Sequence, residues 1–315
     1  MLINWKTIRF FRRIFTAFIP NRKVRHMFVA GGFYVFYSYF IRLFNYKKEP
    51  VNFKYQLSFV LIIKNAACYM DEWINYHKLV GVDHFYIYDN ESTDNLREVL
   101  KPYIKSGLVT YTYWKGKCQQ NKCYNYALNK HRFETKWLGF IDDDEFVVPM
   151  QDKKITDVLE KLNINSALSI NWVIYGSNGL KKKTDGLVIE KFTKRGNISI
   201  ESPCKLIVNP RIACFIDAVH FAFCVGKNYP VNEKKEKSNW CGKYTGDLVR
   251  INHYHTKSLE EYILKKKRGD AFYGEYKNGT EEVFYKKDKN NNIVEDDIMK
   301  KYIPEVKKMI NKIRK

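Results

Sequence analysis

The spacing of apolar residues along the chain switches between two periods. Residues 57–63 (LSFVLII) form a short continuous apolar run, which predicts a strand covered on both faces, as in a parallel sheet. Met70, Trp73, Ile74, His77 and Val80 then recur at helical spacing, and Gly81 is placed to end that helix. The alternation continues with a strand over 82–88, a helix over 94–105 and a strand over 108–114. A helix over 117–132 and a fourth strand over 137–141 follow. Farther on, the pattern predicts a helix over 152–162, a strand over 168–175, a strand-rich stretch over 187–225 and a polar, exposed loop over 228–241. A strand over 247–254, a basic helix over 259–271 and a terminal helix over 296–314 complete the chain. Strand–helix alternation of this kind predicts an α/β fold with a mostly parallel, doubly wound sheet. Such sheets bind ligands beyond the carboxyl ends of their strands. Asn65, Asp89 and the acids at 142–145 all fall at such ends.

The first fifty residues have a different character. Residues 1–48 hold ten Lys/Arg and no Asp or Glu, interleaved with Trp5, Phe10, Phe11, Phe15, Phe18 and further aromatics. Their longest uncharged run, 27–41, is 15 residues, shorter than the roughly 20 a spanning helix needs. Basic groups with aromatics predict an arm lying at an anionic membrane surface; the alternative is an amphipathic segment packed on its own domain. Across the whole chain 55 Lys/Arg face 34 Asp/Glu, a net charge of +21. That field favours polyanionic partners without choosing among nucleic acid, membrane and phosphorylated substrates. Seven scattered cysteines with no CxxC pair argue against a disulfide framework or a structural zinc site, and fit a reducing compartment.

The chemistry concentrates at 137–148, WLGFIDDDEFVV. Asp142 and Asp144 flank one residue, so at an extended strand end their side chains point the same way. Two such carboxylates suit Mg²⁺ or Mn²⁺, which take one or two protein oxygens and complete their shell with water and substrate phosphates. An acidic loop without a ligand is the alternative. Asp143 faces the other way, toward a nucleoside ribose, and Glu145 either positions the donor or anchors the turn. After the second strand, Asp89 is placed to accept hydrogen bonds from a nucleobase or ribose, while Asp94 caps the following helix.

Taken jointly, Lys64-Asn65 with Glu72-Trp73, Tyr88-Asp89-Asn90-Glu91-Ser92-Thr93-Asp94 and Ile141-Asp142-Asp143-Asp144-Glu145-Phe146 resemble GT-A-fold glycosyltransferases, specifically glycosyltransferase family 92 and its family 2-like bacterial relatives. Trp172 with Tyr175-Gly176-Ser177, Lys205, His220 and the segment 252–269 extend the resemblance over roughly residues 56–270. Together with the composition of the first fifty residues, it divides the chain into a basic membrane-associating arm at 1–50, a GT-A catalytic domain at 51–258 and a helical basic extension at 259–315. It implies inverting transfer of a sugar from a nucleotide-diphosphate donor, a UDP-sugar, with Mn²⁺ or Mg²⁺. Asp142, Asp144 and His253 would hold the metal, and Asn65, Asp89, Asp143, Lys257 and Arg268 the donor. Asp217 and His220 are the first candidates for the base, then Glu201; His220 as a core residue and His253 as an anchor for the C-terminal helix are the alternatives. The implied acceptor is a cell-surface glycan or glycolipid of lipopolysaccharide or capsule type, met at the cytoplasmic face of a bacterial membrane. One departure is Ala66, where these relatives carry an acid after the asparagine.

Two other classes compete. A nucleic-acid-binding protein fits the charge, but no recognition motif is present and the acids lie where the polyanion would approach, so no nucleic acid is expected. A nucleotide-sugar phosphotransferase would open with a Gly-rich loop, and KNAACYMDEW contains no glycine.

Overall fold

The structure, a computed structural model, describes residues 50, 52–217, 219–269 and 279–314. The basic arm expected over 1–50 lies outside these, apart from Pro50.

Three strand–helix units and a fourth strand open the fold. They run β1 (Tyr55–Ile63), α1 (Ala67–Leu79), β2 (His84–Asp89), α2 (Leu96–Lys105), β3 (Val109–Tyr113), α3 (Gln120–Lys130) and β4 (Thr135–Phe140). After the acids come β5 (Glu145–Pro149), α4 (Ile155–Leu162), β6 (Ala167–Ile174), the single turn α5 (Val188–Lys191), β7 (Lys194–Arg195) and β8 (Glu201–Val208). A hairpin of β9 (Ala213–Asp217) and β10 (Phe221–Cys224) leads to β11 (Pro230–Val231), β12 (Cys241–Lys243) and β13 (Val249–His253). The chain closes with α6 (Leu259–Arg268), α7 (Glu281–Asp288), β14 (Val294–Glu295) and α8 (Ile303–Arg314).

The central sheet has the order β3-β2-β1-β4-β8-β6-β13-β5. Its first four strands pair in parallel, as the alternation predicts. β8 then enters antiparallel between β4 and β6, and β5 pairs antiparallel with β13. The α/β architecture with a mostly parallel, doubly wound sheet is thus present, interrupted by two reversed strands. β1 shows why its apolar run is continuous. Leu57, Phe59, Leu61 and Ile63 join the layer packed under α1, α2 and α4, while Val60 and Ile62 join the opposite layer with Cys123, Tyr124, Ala127 and Leu128 of α3. Burying each such side chain contributes about 1.5–3 kcal/mol, so neither face of β1 can be turned to water.

Two local expectations change. Residues 228–241 do not form a simple exposed loop, because Glu233 is buried and accepts the backbone N–H groups of Asp247, Leu248 and Val249. The terminal helix begins at Ile303 rather than 296, with Pro304 in its first turn, where a missing N–H costs nothing. Among the described residues no helix is long and apolar enough to cross a membrane.

Candidate active site

Strand direction brings the site together. β1, β2, β4, β6 and β13 run the same way, so Ile63, Asp89, Phe140, Ile174 and His253 end at one edge. β5 runs oppositely and starts at that edge with Glu145, directly across from His253. Asn65, Asp89, the acids and His253 therefore converge despite their separation in sequence.

The acids do not extend β4. They form a tight turn between β4 and β5, in which the Glu145 N–H donates to the Asp142 carbonyl at 3.2 Å and the Asp142 N–H donates to Glu145 Oε2 at 2.9 Å. Alternation along an extended strand is thus not what orients Asp142 and Asp144. One face of α1 holds the turn. Trp73 Nε1 donates to the carbonyls of Asp142 (2.9 Å) and Glu145 (3.0 Å), and the Tyr76 hydroxyl donates to the Val147 carbonyl. His77 Nδ1 lies 2.9 Å from the Trp73 carbonyl, while its Nε2 accepts the Val147 N–H. That pattern fixes one neutral tautomer. Burial pushes the His77 pKa down to about 3, so the ring stays neutral while it ties β5 to α1.

Two lysines reach the carboxylates. Lys205 Nζ of β8 lies 2.6 Å from Asp142 Oδ2 and 3.6 Å from Glu145 Oε2. Tyr124 and Gln120 of α3 donate to Asp142 Oδ1 at 3.1 and 3.3 Å, so both oxygens of Asp142 are engaged inside the protein. Burial opposes the Asp142 charge, but Lys205 outweighs it and holds the carboxyl below its ordinary range. Glu145 shows the opposite result: burial and the neighbouring Asp142 and Asp144 outweigh Lys205 and push its carboxyl well above the ordinary range. Asp142 is the ionised partner of Lys205, and Glu145 Oε1 is buried without a partner. At Asp144, Lys265 of α6 donates to Oδ2, and His253 Nε2 lies 3.5 Å from the same oxygen. Burial is again outweighed, here by Lys265 and His253, and the Asp144 carboxyl is held well below the usual range.

The remaining residues are placed as follows. Asp89 Oδ1 accepts the Ser92 N–H at 2.8 Å and Oδ2 accepts the Tyr111 hydroxyl at 2.7 Å. Asn65 adopts φ +49°, and its side chain accepts the Thr93 N–H, which folds the 90–94 loop over the end of β1. The N-cap of α2 is Asn95 and not Asp94 as expected; Asp94 precedes it, its Oδ1 accepting the Leu96 N–H at 3.3 Å and its Oδ2 accepting the N–H of Ala67 at the start of α1. Arg268 donates to the carbonyls of Lys64 (2.7 Å) and Asn65 (2.9 Å) and reaches Asp143 at 3.5 Å, linking the β1 end to the acid turn. Lys257 is buried, with its ammonium 4.4 Å from the centre of the Tyr69 ring, and burial lowers its pKa. Trp172 stands between two imidazoles, His253 at 4.3 Å and His220 at 5.1 Å. His220 Nδ1 lies 2.6 Å from the Cys204 carbonyl, which leaves Nε2 as the unprotonated nitrogen, and burial together with Lys205 lowers its pKa to about 4. Asp217 ends β9, opposite Phe221 in the hairpin that carries His220.

Lys205, and Lys265 within the segment 252–269, are among the residues that carry the family resemblance, but neither was expected as an ion-pair partner of the acids. The signal for Lys265 was available: Tyr262, Lys265 and Arg268 share one face of α6 at spacings of three. No local spacing pointed Lys205 at Asp142.

Among the described residues no three Cys, His, Asp or Glu side chains are grouped closely enough to hold a metal ion by themselves. The donor set nonetheless fits a divalent cation that arrives with phosphate ligands. Asp144 offers a carboxylate oxygen and His253 the Nε2 of its imidazole 3.5 Å from it, while His253 Nδ1 is buried without the acceptor that usually orients a metal-bound histidine.

Residues 63–313 match the family model of Glycosyltransferase family 92. Over 227 residues, 70% of this chain and 39% of the relative, the chain is 27% identical to a Glycosyltransferase family 92 protein of Ricinus communis. Over 202 residues, 58% of this chain and 36% of the relative, it is 33% identical to a galactan beta-1,4-galactosyltransferase of Arabidopsis thaliana. The crystal structure of S. aureus TarS 1-349 in complex with UDP-GlcNAc resembles it slightly, with TM-score 0.34 and 14% identity over 59% of this chain and 60% of that one. The chain spans well under half the length of the curated relatives it matches. With the family model covering most of its length, the chain belongs to glycosyltransferase family 92.

Proposed function

We propose that this protein transfers a sugar, with inversion, from a nucleotide-diphosphate donor to a glycan acceptor. The observation that carries the reading is the Asp144 carboxylate, held ionised at the carboxyl edge of the sheet beside His253 and Lys265, with Lys257 close by and Arg268 on the neighbouring Asp143. In the transfer the anomeric C–O bond to the diphosphate breaks, an acceptor oxygen bonds to that carbon, and the acceptor hydroxyl proton passes to a base. Asp89, Asn65 and Asp143 line the path for the nucleoside, although Asp89 would share oxygens already bonded to Ser92 and Tyr111. Lys265 and Arg268 answer the charge released on the departing diphosphate. Asp144 and His253 would hold Mn²⁺ or Mg²⁺, with Asp142 beside them fixing the turn through Lys205; bound there, the ion supplies a Lewis acid for the diphosphate oxygens. His220 is favoured over Asp217 and Glu201 as the base. Its ring packs on Trp172 in the site, and its Nδ1 is taken up by the Cys204 carbonyl, so Nε2 is the nitrogen that would accept the proton.

The galactosyltransferase relative makes UDP-galactose the first donor and a β-linked galactan the first acceptor to test. The basic arm favours an acceptor displayed on an anionic membrane surface, such as a lipid-linked surface glycan at the cytoplasmic face. The test is release of nucleoside diphosphate from a panel of UDP-sugars with Mn²⁺, in wild type and Asp144→Ala. Asp144→Ala is expected to lose at least about 100-fold in turnover, as when a group aimed at developing charge is removed. No metal-dependent release from any donor, or equal release by the variant, would sink the proposal.

A further inference from the structure

Two ammonium groups reach the acid turn, and they differ in every structural respect. Lys205 rises from within β8, a strand of the central sheet, and its side chain has no exposure. It cannot leave Asp142 without opening the sheet, and the other oxygen of Asp142 is covered by Tyr124 and Gln120. Lys265 rises from the last turn of α6, outside the sheet, and its side chain is 24% exposed. Its flexible four-carbon stem can swing without disturbing the backbone. It donates to Asp144 Oδ2, the oxygen that also faces His253 Nε2. Oδ2 is the Asp144 oxygen nearest His253 that a bridging cation would share, and an internal cation already holds it.

We propose that Lys265 is a built-in stand-in for the donor's metal. It neutralises Asp144 until a metal–nucleoside diphosphate complex arrives, then yields the oxygen and turns its ammonium to the diphosphate. This rests on the donor-binding reading above and adds an order of events to it. A bare divalent cation must displace an ammonium from a turn whose charge is already compensated, and it meets Arg268 and Lys257 close by. A metal carrying a diphosphate brings the negative charge that gives Lys265 a new partner. Metal and nucleotide therefore enter together, and Asp144, only 2% exposed, is never left as a buried carboxylate without a cation.

The test is Mn²⁺ binding to the full-length protein, read from the EPR signal of free Mn²⁺, with and without UDP, so that no turnover is needed. Wild type is expected to bind Mn²⁺ weakly alone and much more tightly with UDP. Lys265→Met should bind bare Mn²⁺ at least about tenfold more tightly, the size of one charge-assisted hydrogen bond. Its coupling between Mn²⁺ and UDP should shrink correspondingly. Lys265→Arg, which keeps the charge, should stay near wild type. Thermal melting checks the fold, and if the Met variant melts early, Lys265→Gln is read in its place. Unchanged or weaker binding of bare Mn²⁺ by the neutral variant overturns this inference alone. A wild type that binds no Mn²⁺ even with UDP overturns the donor reading, and the inference falls with it.

Discussion

Glu72 shows how far one carboxyl can be moved by its surroundings. It is buried under the 176–187 loop and accepts the N–H groups of Val188 and Ile189 at 2.7 and 2.9 Å, at the start of α5. Burial outweighs those hydrogen bonds and raises its pKa to about 7. A raised folded-state pKa means the folded protein binds this proton more tightly than the unfolded chain does. The resulting stability is fully present below the unfolded value near 4.5 and is lost as pH rises through about 7. From pH 5 to pH 8 this group alone should remove about 2–3 kcal/mol. Glu72→Gln does not titrate, so denaturant unfolding at the two pH values should show the gap between variant and wild type shifting by that amount in the variant's favour. Parallel stability profiles would show that Glu72 does not titrate there. The histidines make the complementary point: His77, His220 and His255 all have lowered pKa values because burial disfavours their charged forms.

At the scale of elements, α6 is the piece on which the cationic side of the site depends. Its N-terminus is closed by a reciprocal cap: Ser258 Oγ accepts the Glu261 N–H, while Glu261 Oε2 accepts the Ser258 N–H and hydroxyl. The other Glu261 oxygen accepts the Tyr69 hydroxyl, which fixes the helix against α1. Lys265 and Arg268 lie two turns along, so their reach to Asp144 and Asp143 depends on this anchor. Ser258→Ala should lower stability by about 1 kcal/mol and weaken UDP–Mn²⁺ binding several-fold, measured by melting and calorimetry. Lower stability with undiminished UDP binding would separate α6 from the donor site. α8 closes the other side of α1, with Val306 buried and Arg314 Nε donating to Asp71 Oδ2 at 2.8 Å. The 176–179 loop is held by the end of α7 and the residues just beyond it, where Asp288, the last residue of α7, accepts the Ser177 N–H and hydroxyl. Asn292 there packs so close to Gly176 that a Cβ would sit 2.4 Å from its Oδ1.

For the molecule as a whole, charge is distributed unevenly. A net +21 surrounds a site whose centre is acidic, and ten of the cations lie in residues 1–48, outside the described structure. If the arm binds anionic lipid, the full chain should co-sediment with vesicles containing phosphatidylserine but not with neutral ones, and salt should release it. Replacing Arg9, Arg12 and Arg13 by Gln should cost about 1 kcal/mol per charge, hence on the order of 100-fold in vesicle affinity. Equal co-sedimentation of variant and wild type would assign the arm another role.

How much of this was legible in the chain depends on the range of the interaction involved. Elements whose signal lies in neighbouring residues were readable: the apolar run of β1, the 3.6-residue spacing of α1, and the alternation that makes the sheet mostly parallel. The carboxyl-edge rule then placed Asn65, Asp89, the acids and His253 together, because strand direction alone decides which ends meet. The turn that carries Asp142, Asp143 and Asp144 was not readable, because its shape comes from Trp73, Tyr76 and His77 on a helix some seventy residues earlier. Nor was the reversal of β8, which rests on register with β4 and β6 and delivers Lys205 to Asp142. Local sequence specifies backbone period and which residue types are present. Which charges neutralise one another is set by packing between distant segments, and only the tertiary structure decided that Lys205 holds one carboxylate of the turn and Lys265 the other.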